Sequence, residues 1–134
     1  MSNRIEDLEI YLLAEKFGDQ VWFVVMEWPY FVRDGFGKQI SNAADSISAN
    51  IAEGFGRYHY KENKNFCYFS RGSIIETKGW LRKAKNRSLI SEQQCSDLIS
   101  QLETIHLKLN IYIKAIGKKI ENNRSNPDND LMTQ

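Results

Sequence analysis

The stretch SEQQCSDLISQLETIHLKLNIYIKAI, residues 91–116, decides the fold. Ser91 followed three residues later by Gln94 is a capping-box pair, in which each side chain satisfies a backbone N–H that the first helical turn leaves free. Cys95, Leu98, Leu102, Ile105, Leu109, Tyr112 and Ile116 then recur at spacings of 3 and 4 without a miss. That period lays seven residues along one stripe of a helix, and such a stripe is buried by packing on other helices.

Upstream, three further segments carry the same period. A segment starting near Lys61 places Cys67, Ser70, Ile74, Thr77, Leu81 and Ala84 on one seam rich in small residues, with Phe66, Phe69, Ser73 and Trp80 widening its buried face. Before it, Ile40, Ala44, Ile47, Ile51 and Gly54 repeat until Gly54 and Gly56 loosen the backbone. The first helix is expected from about Arg4 to Trp28, with Asn3 and Glu6 as its cap and Tyr11, Ala14, Gly18, Val21, Val25 and Trp28 on its seam. Pro29 ends it, and a turn is expected at Asp34, Gly35 and Gly37.

Four helices joined by short connections imply an all-α, antiparallel up-down-up-down four-helix bundle with crossing angles near ~20°. The chain is 134 residues long, enough for one domain, expected over residues 1–120. From Glu121 the apolar period is lost to Asn, Asp, Ser and Pro, so residues 121–134 are expected to be a disordered tail. The most apolar run, Val21 to Val32, contains Glu27 and Pro29 and is far shorter than the ~20 residues of a membrane span. No secretory signal is expected from residues 1–20, and two cysteines, Cys67 and Cys95, are too few for a disulfide scaffold. A soluble cytoplasmic protein with no membrane partner is expected.

Some polar residues lie near the seams. Asn50 falls on the face of Ile47 and Gly54, and Glu53 lies one step round. Arg71, Ser73 and Glu76 sit among Phe69, Ile75 and Trp80, where Gly72 and Gly79 would admit a neighbouring backbone. Buried polar groups are costly unless hydrogen-bonded. A structural polar network of Asn50, Glu53, Arg71, Ser73 and Glu76 between helices two and three is therefore expected, in preference to a ligand or catalytic site.

At these residues the chain resembles a known family. DSISANIAEGFGR, residues 45–57, followed by FSRGSIIE, residues 69–76, is similar to the paired signature of the bacterial four-helix bundle proteins encoded in intervening sequences of 23S rRNA genes. The resemblance begins at Glu6-Asp7-Leu8 and covers about residues 5–117 in order and spacing. It departs from the pattern at Ser41 and Asn42, where basic residues are common, and at Ser70, where Ala is common. The family is similar to the accessory variability determinant of diversity-generating retroelements, a basic, barrel-like pentamer of four-helix protomers that binds nucleic acid and a reverse transcriptase. The resemblance implies the bundle, a homopentamer, RNA or DNA as ligand, and a nucleic-acid-processing protein as a possible partner.

Charge is balanced overall but unevenly placed. Eighteen basic residues face seventeen acidic ones, which excludes a uniformly basic coating protein, yet residues 1–30 sum to −4 and residues 61–90 to +6. Lys78, Arg82, Lys83, Lys85 and Arg87 crowd the last turns of helix three, where cations also complement the helix dipole. With Arg71 they form the candidate nucleic-acid-binding set. Antiparallel topology brings Arg57, Lys61 and Lys64 near Lys114, Lys118 and Lys119 as a second basic zone at the other end. Contacts of this kind bind phosphate without reading sequence. Tyr58, His59 and Tyr60 offer stacking faces, although loop aromatics more often pack under their own turn.

Other chemistry finds no support. Gly54-Phe55-Gly56 lacks the third glycine and the preceding strand of a dinucleotide fingerprint. Glu103 and His106 are one Glu-x-x-His pair where a di-metal bundle uses two, so neither metal nor cofactor is expected. Trp22, Phe23, Trp28, Tyr30, Phe31 and Phe36 exceed what one seam covers, so some are expected in the core, and the remainder, with Leu107 and Ile111, point to a subunit interface. The reading is a non-enzymatic homo-oligomer that binds RNA or DNA phosphates. The alternative is a protein-interaction scaffold that touches no nucleic acid.

Overall fold

The computed structural model describes residues 4–125, and it is the expected bundle. Four long helices, α1 (Glu9–Met26), α2 (Lys38–Phe55), α3 (Tyr60–Asn86) and α4 (Glu92–Ser125), account for most of the described residues, among which there is no strand. α1 packs on α2, α2 on α3, α3 on α4, and α4 returns to α1, the neighbour order of an up-down-up-down bundle.

Each seam is buried as its spacing requires. Ala14, Val21 and Val25 of α1, Ile40, Ala44, Ile47 and Ile51 of α2, Cys67, Ile74 and Leu81 of α3, and Leu102, Ile105 and Leu109 of α4 form one continuous core, joined by Phe17. Burying a side chain the size of Ile or Leu stabilises by about 1.5–3 kcal/mol, so this stripe dominates the folding energy. On α4 the stripe drifts late: Ile113 and Ile120 are buried with Ile116, while Tyr112 is only partly so. Of the residues expected to widen the α3 face, Phe66, Ser73 and Trp80 are half-buried and Phe69 is 58% exposed.

The ends hold the differences. Ile5–Asp7 is a 3-10 turn, Leu8 is extended, and α1 starts at Glu9 without a side-chain cap; the expected cap residue Asn3 lies outside the described residues. α1 stops at Met26, two residues before Trp28, because Pro29 disfavours a helical residue ahead of it. The expected turn at Asp34–Gly37 is instead helical. Pro29 reverses the chain, Tyr30–Val32 is α-helical, Arg33–Gly37 is a π-turn, and this segment runs straight into α2. Gly37 serves close packing: a Cβ there would stand 2.7 Å from Cγ1 of Val25. Gly54 likewise does not loosen α2 but admits α3, since a Cβ would stand 2.9 Å from the Asn63 carbonyl. Gly72 and Gly79, expected at a close approach, are exposed with nothing near them.

α3 ends in a Schellman turn. Leu89 N–H donates to Ala84 O (2.9 Å), Ser88 N–H to Lys85 O (3.0 Å), and Ser88 takes the left-handed conformation at φ 59°. The capping box that follows is formed reciprocally: Ser91 N–H donates to Gln94 Oε1 (2.9 Å) and Gln94 N–H to Ser91 Oγ (3.0 Å). α4 continues past the expected boundary at residue 120 to Ser125; the rest of the expected tail lies outside the described residues.

The polar network expected between α2 and α3 does not form. Asn50 donates to Ser46 O on its own helix, Glu53 accepts from Arg57 one turn on, Ser73 donates to Phe69 O, and Glu76 accepts from Trp80. Each is satisfied locally, and Arg71 turns away to α4. Among the described residues, the buried polar ones are Asn63, Ser70 and Thr77. Ser70 Oγ donates to Ile47 O of α2 at 2.8 Å, and Asn63 Nδ2 donates to Tyr112 Oη of α4 at 3.1 Å.

Candidate nucleic-acid interface

Helical spacing sorts the six predicted cations into two groups. Arg71, Lys78 and Arg82 recur at intervals of seven and four, on the flank of α3 that meets α4. Arg71 Nη1 donates to Asn110 Oδ1 of α4 at 2.9 Å, and its guanidinium stands 4.9 Å from the ring centre of Tyr68. His106 of α4 shares this flank; burial first, then the charges of Lys78 and Arg71, hold its pKa below the ordinary histidine value. Gly117 and Lys64 extend the flank toward the other end of the bundle.

Lys83 and Arg87 turn the other way, toward the α1–α2 corner. Trp28, Phe36 and Trp80 form an aromatic ladder with centroid separations of 5.7 and 5.4 Å. Lys83 Nζ lies 4.7 Å from the ring centre of Trp80, and the Arg87 guanidinium lies 5.0 Å from that of Phe36. Trp28 Nε1 donates to Leu89 O at 3.1 Å, fixing the first interhelical turn to the last. Lys85, seven residues after Lys78 and three after Arg82, belongs to the α4 flank, over a shallow depression lined by Glu92, Ile99 and Glu103. Among the described residues none of the six cations makes an ion pair.

The second basic zone is only partly assembled. Lys119 Nζ lies 5.3 Å from the ring centre of Tyr60, so the start of α3 and the end of α4 do meet. Arg57, however, is engaged by Glu53 (2.7 Å) and Glu62 (3.5 Å) and lies 4.7 Å from the centre of Phe66. Tyr58 meets His59 edge-on, and Tyr60 is half-buried. No cluster of three metal-ligating side chains occurs among the described residues, and no described helix is long and apolar enough to cross a membrane.

Sequence reasoning missed the company that Lys83 and Arg87 keep. Tyr30, Phe31 and Phe36 read as core or interface residues and Arg87 as a phosphate ligand, yet Tyr30, Phe31, Phe36, Arg87 and Leu89 line one apolar recess. The antiparallel topology contained the signal, since it puts the α1–α2 turn and the end of α3 at one end of the bundle.

The 23S rRNA-intervening sequence protein family matches the chain over residues 6–111. The fold is also similar to the crystal structure of a protein of unknown function from the S23 ribosomal protein family of Bacteroides thetaiotaomicron, with TM-score 0.73, 20% identity and coverage of 82% of this chain and 99% of that one. No curated protein matches the sequence.

Proposed function

This chain belongs to the 23S rRNA-intervening sequence protein family, and from that premise we propose that it is a non-enzymatic, cytoplasmic homo-oligomer that binds RNA or DNA phosphates through α3. The observation that carries the reading is the set of six cations, Arg71, Lys78, Arg82, Lys83 and Lys85 on α3 and Arg87 at its C-cap, all outside any ion pair among the described residues. A folded protein that only needs solubility intersperses the two signs; here residues 61–90 sum to +6, while the acidic excess lies mainly in the first thirty residues, which sum to −4. Uncompensated cations attract phosphate by releasing condensed counterions, so binding is steeply salt-dependent and indifferent to sequence.

Self-association, as a pentamer by family resemblance, is supported by large exposed apolar side chains on two sides of the bundle. Trp22, Phe23 and Met26 lie on α1, and Ile75, Leu107 and Ile111 on α3 and α4. A ring would repeat each basic flank in every subunit and multiply the field. The same apolar residues favour the second reading, a scaffold for another protein, including one that processes nucleic acid.

Light scattering of the purified protein, with and without a mixed single-stranded RNA and DNA pool at low and moderate salt, separates the two. An oligomer whose mass rises with the pool only at low salt is expected. An oligomer indifferent to the pool at both salts would overturn phosphate binding and favour the scaffold.

A further inference from the structure

We infer that the α1–α2 corner is a stacking platform for unpaired bases, which makes single-stranded nucleic acid the ligand class; the inference rests on the phosphate-binding reading above and narrows it. Tyr30 and Phe31 are the two most exposed aromatic side chains among the described residues, at 72% and 89%. Exposure of that degree is unusual for Phe, whose ring gains nothing from water. Pro29 and the π-turn hold these rings at the rim of the recess that Phe36, Arg87 and Leu89 complete.

The rim is cationic. The Arg33 guanidinium lies 5.9 Å from the ring centre of Tyr30, Arg87 lies 5.0 Å from that of Phe36, and Lys83 caps Trp80 behind them. Asp34 is the acidic residue of the recess, and Lys38 engages its carboxylate at 3.0 Å. Arg33 also donates to Met26 O at 3.3 Å, and among the described residues none of the three cations makes an ion pair. Apolar rings edged by such guanidinium and ammonium groups complement a strand that presents bases and phosphates together. Each base offers a π-face, whereas a duplex keeps its bases stacked on one another and shows only phosphate and groove edges. Tyr58, the stacking ring expected from the sequence, has no such rim: its neighbour is His59, and Arg57 is held by carboxylates. Tyr68 carries Lys64 and Arg71 over its ring at 5.9 and 4.9 Å but is only 39% exposed.

The test compares the intact protein with a Tyr30→Ala/Phe31→Ala variant, by fluorescence anisotropy with a uridine oligomer and with the adenosine–uridine duplex, alongside light scattering. Both rings are exposed, so the variant should fold and keep its melting temperature. The expected result is a loss of about tenfold or more in affinity for the single strand, with duplex affinity, salt dependence and oligomeric mass unchanged. An equal loss for both ligands, or no loss while the intact protein binds, would overturn the platform and leave phosphate binding standing. A drop in oligomeric mass would assign the corner to a second copy of the chain and also overturn it. An intact protein that binds neither ligand would remove the phosphate-binding reading itself.

Discussion

Asn63 Nδ2 donates to Tyr112 Oη at 3.1 Å, and the bond joins α3 to α4. Asn63 is 1% exposed, and its Oδ1 faces the thiol of Cys67 at 3.7 Å, so its amide is used at both ends. Burial above all holds the Tyr112 phenol above its ordinary pKa, which keeps it a neutral hydroxyl at physiological pH. Tyr112→Phe strands a buried donor and should cost about 1–3 kcal/mol in denaturant unfolding; Asn63→Ala should cost at least as much, because it adds a cavity. The double variant should cost less than the sum. Strict additivity would show that the bond carries no coupling.

Cys67 should be inert in the native protein. It is fully buried, and burial pushes its thiol up to about 12, so at pH 8 almost none is thiolate. Iodoacetamide followed by peptide mass spectrometry should label Cys67 only after denaturation. Native labelling at the rate of a free thiol would contradict the burial.

Where the physics was local, the sequence was legible. The seams of α2 and α3 are buried residue for residue, because spacings of 3 and 4 oblige those side chains to share a face. The Ser91–Gln94 box formed because its donors and acceptors lie within one turn. What failed depended on partners distant in sequence. Gly35 and Gly37 look like a turn, but whether a glycine opens the chain or admits a neighbour is decided by Val25 on another helix. Asn50 and Glu53 lie beside the seam, yet the Ser46 carbonyl and Arg57 satisfy them within α2, so no network was required. The cation count on α3 was readable; the aromatic company of Lys83 and Arg87 came from the antiparallel closure of the bundle.

Ser88 is a residue whose replacement should stabilise the protein. It sits at φ 59°, where a Cβ is strained, and it makes the Schellman bond to Lys85 O through its backbone alone. Ser88→Gly removes the strain and keeps both bonds, while the freer unfolded chain offsets part of the gain. A net rise of about 0.5–1 kcal/mol is expected in chemical denaturation. A loss of stability would show that the serine side chain contributes something the backbone geometry does not.

Asp45 should make stability depend on pH in the opposite sense to an ion-paired carboxylate. Its Oδ1 lies against Gly18 of α1, 2.7 Å from where a Cβ would stand, so the side chain is pressed into the α1–α2 contact. That partial burial, and secondarily the charge of Asp19, raises its pKa. The folded state therefore holds this proton more tightly than the unfolded state does. The destabilisation is absent below the unfolded pKa, near ~3.9, and develops as pH rises through that value and the folded pKa above it. Asp45→Asn removes the charge and keeps the shape. It should melt higher than the parent at pH 7, and the difference should close toward pH 3 in a series of melting curves. A gain constant across that range would show that the carboxylate's ionisation is not its cause.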